Sequence, residues 1–412
     1  MQVFTLNNGL RVVVEHISSS PVEAIYMFYN VGAKNEHEGI FGGSHLVEHV
    51  LFRRIKGLDK SIDEIVEGVG GYFNGFTSFD FTAYVEVLPV DKAELGFMIE
   101  SMRMRGALFL NEEFELERRI VLSEFDMHEN DEEFRMALIA SRKMWSTHPY
   151  RHLVIGVRRD LESVTRDQLY EYYQAYYNPG NSTLVCVGGL REGDAVKLAE
   201  KYFSSIEPGG KVGSTTPWDE DSEEFVKVSV RGPSKVRRML IMLKAPGLHS
   251  PNYPSFILTD FIIAGDRQPV YGLTAPEPVS VPRFSRLYRL VEEGLASSVV
   301  TDYSPTYMNG PYFVVLRDVK DFEKALDRFI EIVSEEPKDD ELESAKARIK
   351  ARASSMLDSP SKLGQAYGLG SILFNEPHRL IDLYTSALKV GSDDFKNTVK
   401  FMTRSIVVVQ YG

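Results

Sequence analysis

The stretch Glu207-Pro208-Gly209-Gly210-Lys211-Val212-Gly213-Ser214-Thr215-Thr216-Pro217 limits the folds open to this chain more than any other. Glycine and proline interrupt it too often for a helix or a strand, and an acidic run from Asp219 to Glu224 follows. Such a segment reads as a linker. It lies near the middle of 412 residues, a length that exceeds one ordinary core. The two halves also close alike. Residues 167–187 pass from a helical pattern through Asn178-Pro179-Gly180-Asn181 into a buried strand, and residues 393–409 pass from a helical pattern into Ser405-Ile406-Val407-Val408-Val409. The expectation is two domains, 1–208 and 223–412, with a linker at about 209–222. Their fold class is α+β: two related domains, each a mostly antiparallel sheet with helices packed on one face.

Within the first half, strands are predicted at residues 11–15, 24–29, 72–77, 82–87 and 182–187, and helices at 41–56, 111–130 and 165–177. In the second half, strands are predicted at 225–230 and 238–243 and an apolar helix at about 251–264. Composition is that of an ordinary globular protein, 43% hydrophobic and 26% charged, and a net charge of -12 argues against a nucleic-acid partner. The one cysteine, Cys186, sits in an apolar run and reads as a buried small side chain; it excludes an intrachain disulfide and a Cys-ligated metal. No apolar run is long enough to span a bilayer, and nothing at the N-terminus resembles a signal peptide. No membrane role and a cytoplasmic location are expected.

The chemistry concentrates in His45-Leu46-Val47-Glu48-His49. On a helix, His45 and His49 are four apart and share a face. Two neutral imidazoles at that spacing can bind one Zn²⁺, and Glu48 beside them can take a proton from a metal-bound water. The order H-x-x-E-H is the inverzincin signature and points to a peptidase. A catalytic zinc needs a further protein ligand, and with no other His or Cys cluster nearby a carboxylate is expected. The acidic helix 111–130 offers several. Glu124 stands out because it follows Ile120-Val121-Leu122, where a carboxylate needs a partner. Glu117 precedes it by two helical turns on the same face.

These residues resemble the pitrilysin/insulysin family of zinc peptidases, in particular its small-subunit branch with the mitochondrial processing peptidases. There, H-x-x-E-H is followed after some seventy-odd residues by E-x6-E. Here 74 residues separate His49 from Glu124, and Glu117-x6-Glu124 fits the second element. The likeness extends to Asn7-Asn8-Gly9-Leu10-Arg11-Val12-Val13, to residues 32–52, and to Gly70-Gly71-Tyr72-Phe73-Asn74-Gly75-Phe76-Thr77-Ser78. It continues through His148-Pro149-Tyr150, Tyr177-Asn178-Pro179-Gly180-Asn181, Ser285-Arg286-Leu287-Tyr288 and Glu293-Gly294-Leu295-Ala296. The resemblance implies a zinc endopeptidase with one Zn²⁺ per chain, held by His45, His49 and Glu124. Glu48 would be the general base and Glu117 a supporting acid that orients a ligand. Asn74, Gly75, Phe76 and Thr77 would line a strand edge where a peptide or unfolded segment binds as an added β-strand within a clamshell chamber.

One departure from the family pattern affects assembly. Many members carry an Arg and a Tyr, seven apart, that grip the substrate backbone. Counted back from Gly294-Leu295-Ala296, those positions hold Leu290 and Ser297, with Arg289 and Tyr303 nearby but out of register. A Pro-containing loop at residues 265–283 replaces a short Gly-rich turn. The expectation is a heterodimer in which a related subunit supplies the Arg/Tyr pair, with a homodimer as second choice. The competing reading is a non-catalytic structural or assembly subunit of the same fold.

Overall fold

The computed structural model describes residues 1–58, 60–210, 212, 224–232, 234–265 and 279–412. The first half contributes β1 (Gln2–Thr5), β2 (Arg11–His16), β3 (Val22–Tyr29), β4 (Tyr72–Thr77), β5 (Thr82–Pro89) and β6 (Ser182–Gly188). Its principal helices are α1 (Gly43–Val50), α2 (Glu94–Gly106), α3 (Asn111–Asn130), α4 (Glu132–Met144), α5 (Arg166–Tyr176) and α6 (Glu192–Phe203). The second half contributes β7 (Phe225–Val230), β8 (Arg238–Ala245), β9 (Val279–Ser280), β10 (Ser298–Tyr303), β11 (Gly310–Arg317) and β12 (Ile406–Tyr411). Its helices of interest are α7 (Tyr253–Ile263), α8 (Pro360–Phe374) and α9 (Ser392–Met402).

Each half builds one six-stranded sheet, in the orders β1-β2-β6-β3-β5-β4 and β7-β12-β8-β11-β10-β9. Pairing is antiparallel except for β2 with β6 and β7 with β12. The two orders superimpose when β2, β6, β3, β5 and β4 are matched to β7, β12, β8, β11 and β10. The extra strand lies at opposite ends, β1 in one sheet and β9 in the other. The repeated helix-then-strand ending is the reason for the match. In each half it delivers a largely apolar strand, β6 or β12, to the second position of the shared order, where it is buried between neighbours.

The compact units are not the two halves of the sequence. The first comprises residues 1–126, 152–216 and 355–380, and the second comprises 127–151, 217–354 and 381–412. Each sheet therefore takes one helix from the other half. In the first unit, α8 packs on β3 and β6. Gly368 makes this possible, since a Cβ there would come within 1.9 Å of the Phe28 ring. Tyr26, beside it on the same face, donates its hydroxyl to the Ser361 carbonyl at 3.0 Å. On the opposite face, Gly96 of α2 lies against Ile25. In the second unit, α4 packs on β12, β8 and β11. The two glutamates of its first turn are held by cations: Glu132 by Arg238, and Glu133 by Arg317 at 2.5 and 2.8 Å. Most of the expected linker and the loop residues 266–278 lie outside the described residues.

The helix expected at 41–56 is only Gly43–Val50. It begins after Gly42, whose φ of +96° suits glycine and whose place would bring a Cβ within 2.6 Å of the Ile155 carbonyl oxygen. Beyond Val50 the chain turns, and Ile55 bridges to Ala107. Cys186 is fully buried. Among the described residues no helix is long and apolar enough to cross a membrane.

Candidate metal centre

Helix α1 is short, and its position is set by carboxylates at its start. Glu36, buried, accepts from the backbone N–H groups of Gly42 at 2.7 Å and Ser44 at 2.8 Å. These are among the donors that a helix start leaves unpaired, so the cap satisfies them directly. Asp160 does the same for Gly39 and Phe41 just upstream. Ser44 also bonds the Tyr172 hydroxyl of α5 at 2.8 Å.

The helix so anchored presents His45 and His49 to α3. His45 Nε2 and His49 Nε2 lie 3.9 and 3.8 Å from the same oxygen of Glu124, Oε2. One donor atom from each residue falls within 4.8 Å of the others, the metal-capable group found among the described residues. Ligands of a tetrahedral zinc with bonds of about 2.1 Å stand about 3.4 Å apart. The two His–Glu124 separations are a few tenths of an ångström wider and the two imidazole donors lie within 4.8 Å, so side-chain movements can bring all three atoms onto one ion. Two imidazoles and one carboxylate are also a donor set that suits Zn²⁺. The residues fit the ion that the H-x-x-E-H spacing implies.

Glu117 occupies a different place on α3 from Glu124. It belongs to the buried stripe Phe114, Glu117, Val121 and Phe125 and is 2% exposed. Its Oε2 lies 3.1 Å from His49 Nδ1, and its Oε1 takes the Arg53 guanidinium. Burial alone would raise this carboxyl, but the hydrogen bonds from His49 and Arg53 carry it below its ordinary range. Burial alone would lower His49, yet the bond to Glu117 and the charges of Glu48, Glu117 and Glu124 raise it. Three carboxylates around one imidazole make the site attractive to a cation.

Glu48 is not one of the three donors; it is 8% exposed, and its carboxyl feels the charges of His49 and Glu124. Burial pushes its carboxyl above the usual range, and a hydrogen bond from Thr77 Oγ1 to Glu48 Oε2 at 2.6 Å opposes the shift. Thr77 thus touches Glu48. The four residues expected along the strand edge are divided by the pleat of β4. Thr77 and Gly75 face α1, where a Cβ on Gly75 would lie 2.8 Å from the Phe52 ring. Asn74 and Phe76 face the other way: Phe76 packs edge-on against Phe28 and Phe81, and Asn74 donates to the Tyr72 hydroxyl at 3.1 Å. The backbone of all four lies on the edge of its sheet.

Several participants carry no motif. Arg103 is fully buried behind β5, with its Cζ 4.3 Å from the centroid of Tyr84. It bonds Glu86 at 3.2 Å and also Glu100, both fully buried. Burial and the Glu100 charge push Glu86 well above its usual range, and the Arg103 charge opposes them. The Arg103 charge also reaches Glu48 and draws its carboxyl down slightly. The available sequence signal was a carboxylate in an otherwise apolar strand, Glu86, and an i, i+3 pair on α2, Glu100 and Arg103.

In the second unit, Leu290 is fully buried and Ser297 donates to the Arg317 carbonyl at 3.2 Å. The two out-of-register candidates are engaged elsewhere. Arg289 forms a two-pronged pair with Glu335, and buried Tyr303 donates to the Tyr253 hydroxyl at 3.3 Å.

The family model described as Insulinase (Peptidase family M16) matches residues 11–155, and that described as Peptidase M16 inactive domain matches residues 163–349. Zinc protease PqqE of Helicobacter pylori is 30% identical over 53% of this chain and 50% of its own length. The β subunit of mitochondrial-processing peptidase from Caenorhabditis elegans is 25% identical over 76% of this chain and 67% of its own length. The chain thus spans about half the length of the first of these relatives. A crystal structure of a protease from Helicobacter pylori superposes with a TM-score of 0.88 at 22% identity, over 100% of this chain and 98% of that one. With the two family models covering most of its residues, the chain belongs to the M16 peptidase family.

Proposed function

We propose that this chain is the catalytic subunit of a zinc-dependent endopeptidase acting on peptides or unfolded segments. The observation that carries this reading is the convergence of His45, His49 and Glu124 on one point, with Glu48 held beside it by Thr77. His45, His49 and Glu124 would hold one Zn²⁺. When bound, the ion supplies Lewis acidity, polarising the scissile carbonyl and lowering the pKa of water.

The remaining chemistry belongs to the side chains. Glu48 accepts the proton of the attacking water and returns it to the leaving amine. Its burial makes it a stronger base than an exposed glutamate, and the Thr77 hydrogen bond favours its ionised form. Glu117 accepts from His49 Nδ1–H, which leaves Nε2 free to donate its lone pair. β4, the last strand of its sheet among the described residues, offers N–H and C=O groups to an extended substrate, and Thr77 ties that edge to the base. Asn74, Gly75, Phe76 and Thr77 would contribute mainly through backbone. Arg289 and Tyr303 are already engaged, so the chain offers neither as a substrate clamp. A related subunit that brings an Arg/Tyr pair would complete the site in a heterodimer, and a homodimer is the second choice.

The test is cleavage of a quenched peptide library by purified protein, alone and co-expressed with a related chain from the same genome. Stoichiometric zinc, chelator-sensitive cleavage and a Glu48→Gln variant that keeps its zinc but cleaves nothing are the expected results. Zinc-loaded protein that cleaves nothing in either arm overturns the reading. A Glu48→Gln variant with full cellular function favours the non-catalytic assembly subunit instead.

A further inference from the structure

Two arginines leave the end of α1 side by side and behave differently. Arg54 reaches outward to the start of α3, bonding Glu113 at 2.6 Å and also Glu112, and its side chain is 60% exposed. Arg53, its own side chain 40% exposed, turns toward the buried stripe of α3. Its Nε and Nη2 both engage Oε1 of Glu117, a carboxylate whose side chain is 3% exposed. The other oxygen of that carboxylate lies 3.1 Å from His49 Nδ1. The result is a continuous chain, Arg53 to Glu117 to His49, ending on an imidazole whose Nε2 faces Glu124.

The chemistry of each link restricts the next. An imidazole that donates from Nδ1 to a fixed carboxylate presents the lone pair of Nε2 in one direction. A carboxylate with almost no contact with water is costly to bury unless its remaining oxygen is also satisfied, and it can rotate when that oxygen is not. A guanidinium contributing two N–H groups from one plane restrains both the charge and the rotation, which a single-point ammonium does less well. Without Arg53, the Glu117 carboxylate loses the partner of Oε1 and with it a defined orientation toward His49.

We propose that Arg53 is a positioning residue of the metal centre, acting through Glu117 to aim His49. The proposal rests on the reading of His45, His49 and Glu124 as a zinc site. It makes a prediction opposite to that of simple electrostatics. Removing a cation next to a cation site should tighten metal binding through the loss of Coulomb repulsion alone. If Arg53 works by positioning, removing it weakens binding.

The experiment measures Zn²⁺ affinity of the full chain by competition with a chromophoric chelator, and the Zn²⁺ release rate, for wild type and for Arg53→Met, Arg53→Lys, Arg54→Met and Glu117→Gln. Removing an outer partner of a metal-bound histidine typically weakens binding about 10–100-fold. Arg53→Met should fall in that range, and Glu117→Gln should match or exceed it. Arg53→Met combined with Glu117→Gln should bind no more weakly than Glu117→Gln alone, because both changes cut the same chain. Arg53→Lys should recover part of the loss. Arg54→Met should bind as wild type does, which separates positioning from loss of a positive charge at this helix end. Thermal unfolding of the metal-free forms shows whether Arg53→Met folds, and Arg53→Lys carries the test if it does not. Arg53→Met binding as tightly as wild type, or more tightly, overturns the proposal alone. Wild-type protein that takes up no Zn²⁺ overturns the site reading and the proposal together.

Discussion

The helix that follows β3 and the helix that follows β8 hold corresponding places in two sheets of matching order, yet their sequences have little in common. The first, α1, reads GSHLVEHV and keeps both histidines partly exposed, at 16% and 23% of their side-chain surface. The second, α7, reads YPSFILTDFII and is buried on every side. Its one carboxylate, Asp260, accepts from the Tyr312 hydroxyl at 2.8 Å. A helix that is apolar all round is core, whereas one with a polar face toward an opening can host chemistry. The same scaffold therefore supports a site in one unit and a packed interior in the other. The difference lies in what the helix face meets: carboxylates of α3 in one case, aromatic and aliphatic side chains in the other.

The largest expected effect tests the chemical side of this contrast. Glu48→Gln should reduce peptide cleavage by about 10²–10⁴-fold, the usual contribution of a positioned proton-transfer group, with zinc content unchanged by elemental analysis. Retained cleavage would move the base elsewhere. The next probes the packed counterpart. Leu258→Ala in α7, at a fully buried position, should cost about 2–5 kcal/mol in a urea titration and leave zinc affinity unaltered. A change in zinc affinity would mean that the two helices are coupled.

Thr77→Val should act more mildly. It removes the hydroxyl that opposes the raised state of Glu48, so the acidic limb of the pH–activity profile should move to higher pH. The rate near neutrality should fall roughly tenfold, about the worth of one hydrogen bond to a charged group. An unchanged acidic limb would show that Thr77 serves the substrate instead.

The smallest effect concerns stability of the first unit. Burial raises Glu36 to about 7 and Glu23 to about 8, from 4.5. Their folded values lie above the unfolded one, so the folded state holds more protons between about pH 4.5 and 8. The associated stability is complete below pH 4.5 and is lost as pH rises through 7 and then 8. Glu23→Gln keeps an acceptor for Leu190 N–H but removes one titration, and should flatten the upper part of that decline in urea midpoints measured from pH 5 to 9. An unaltered slope would exclude Glu23 as its source.

Local spacing made much of the site legible. His45 and His49 are four apart on a helix wherever that helix goes, and Glu124 follows Glu117 by two turns on α3 whatever α3 packs against. The strands were legible for the same reason, since runs such as Leu184-Val185-Cys186-Val187 are apolar throughout. Side-chain roles within the site were less so. Glu124 reads as the more embedded carboxylate because apolar residues precede it, but Glu117 lies on the buried stripe and Glu124 stays a third exposed. Adjacent residues in a chain face different directions, so neighbours in sequence are poor guides to burial on a helix.

The chain by itself determined the H-x-x-E-H geometry, the carboxylates available to it, the repeated architecture and the missing Arg/Tyr pair, because each depends on residue identity and short-range periodicity. Tertiary structure alone decided that α4 and α8 would serve each other's sheets. An apolar helix face carries no address, and only close packing such as Gly368 on Phe28 selects its partner. Tertiary structure also assigned Thr77 to Glu48 and Arg53 rather than Arg54 to Glu117, and it gathered Arg103, Glu86 and Glu100 behind the site. Each is a contact between groups distant in sequence or equal in type. Such contacts are set by distance and direction in space, which a one-dimensional pattern does not contain.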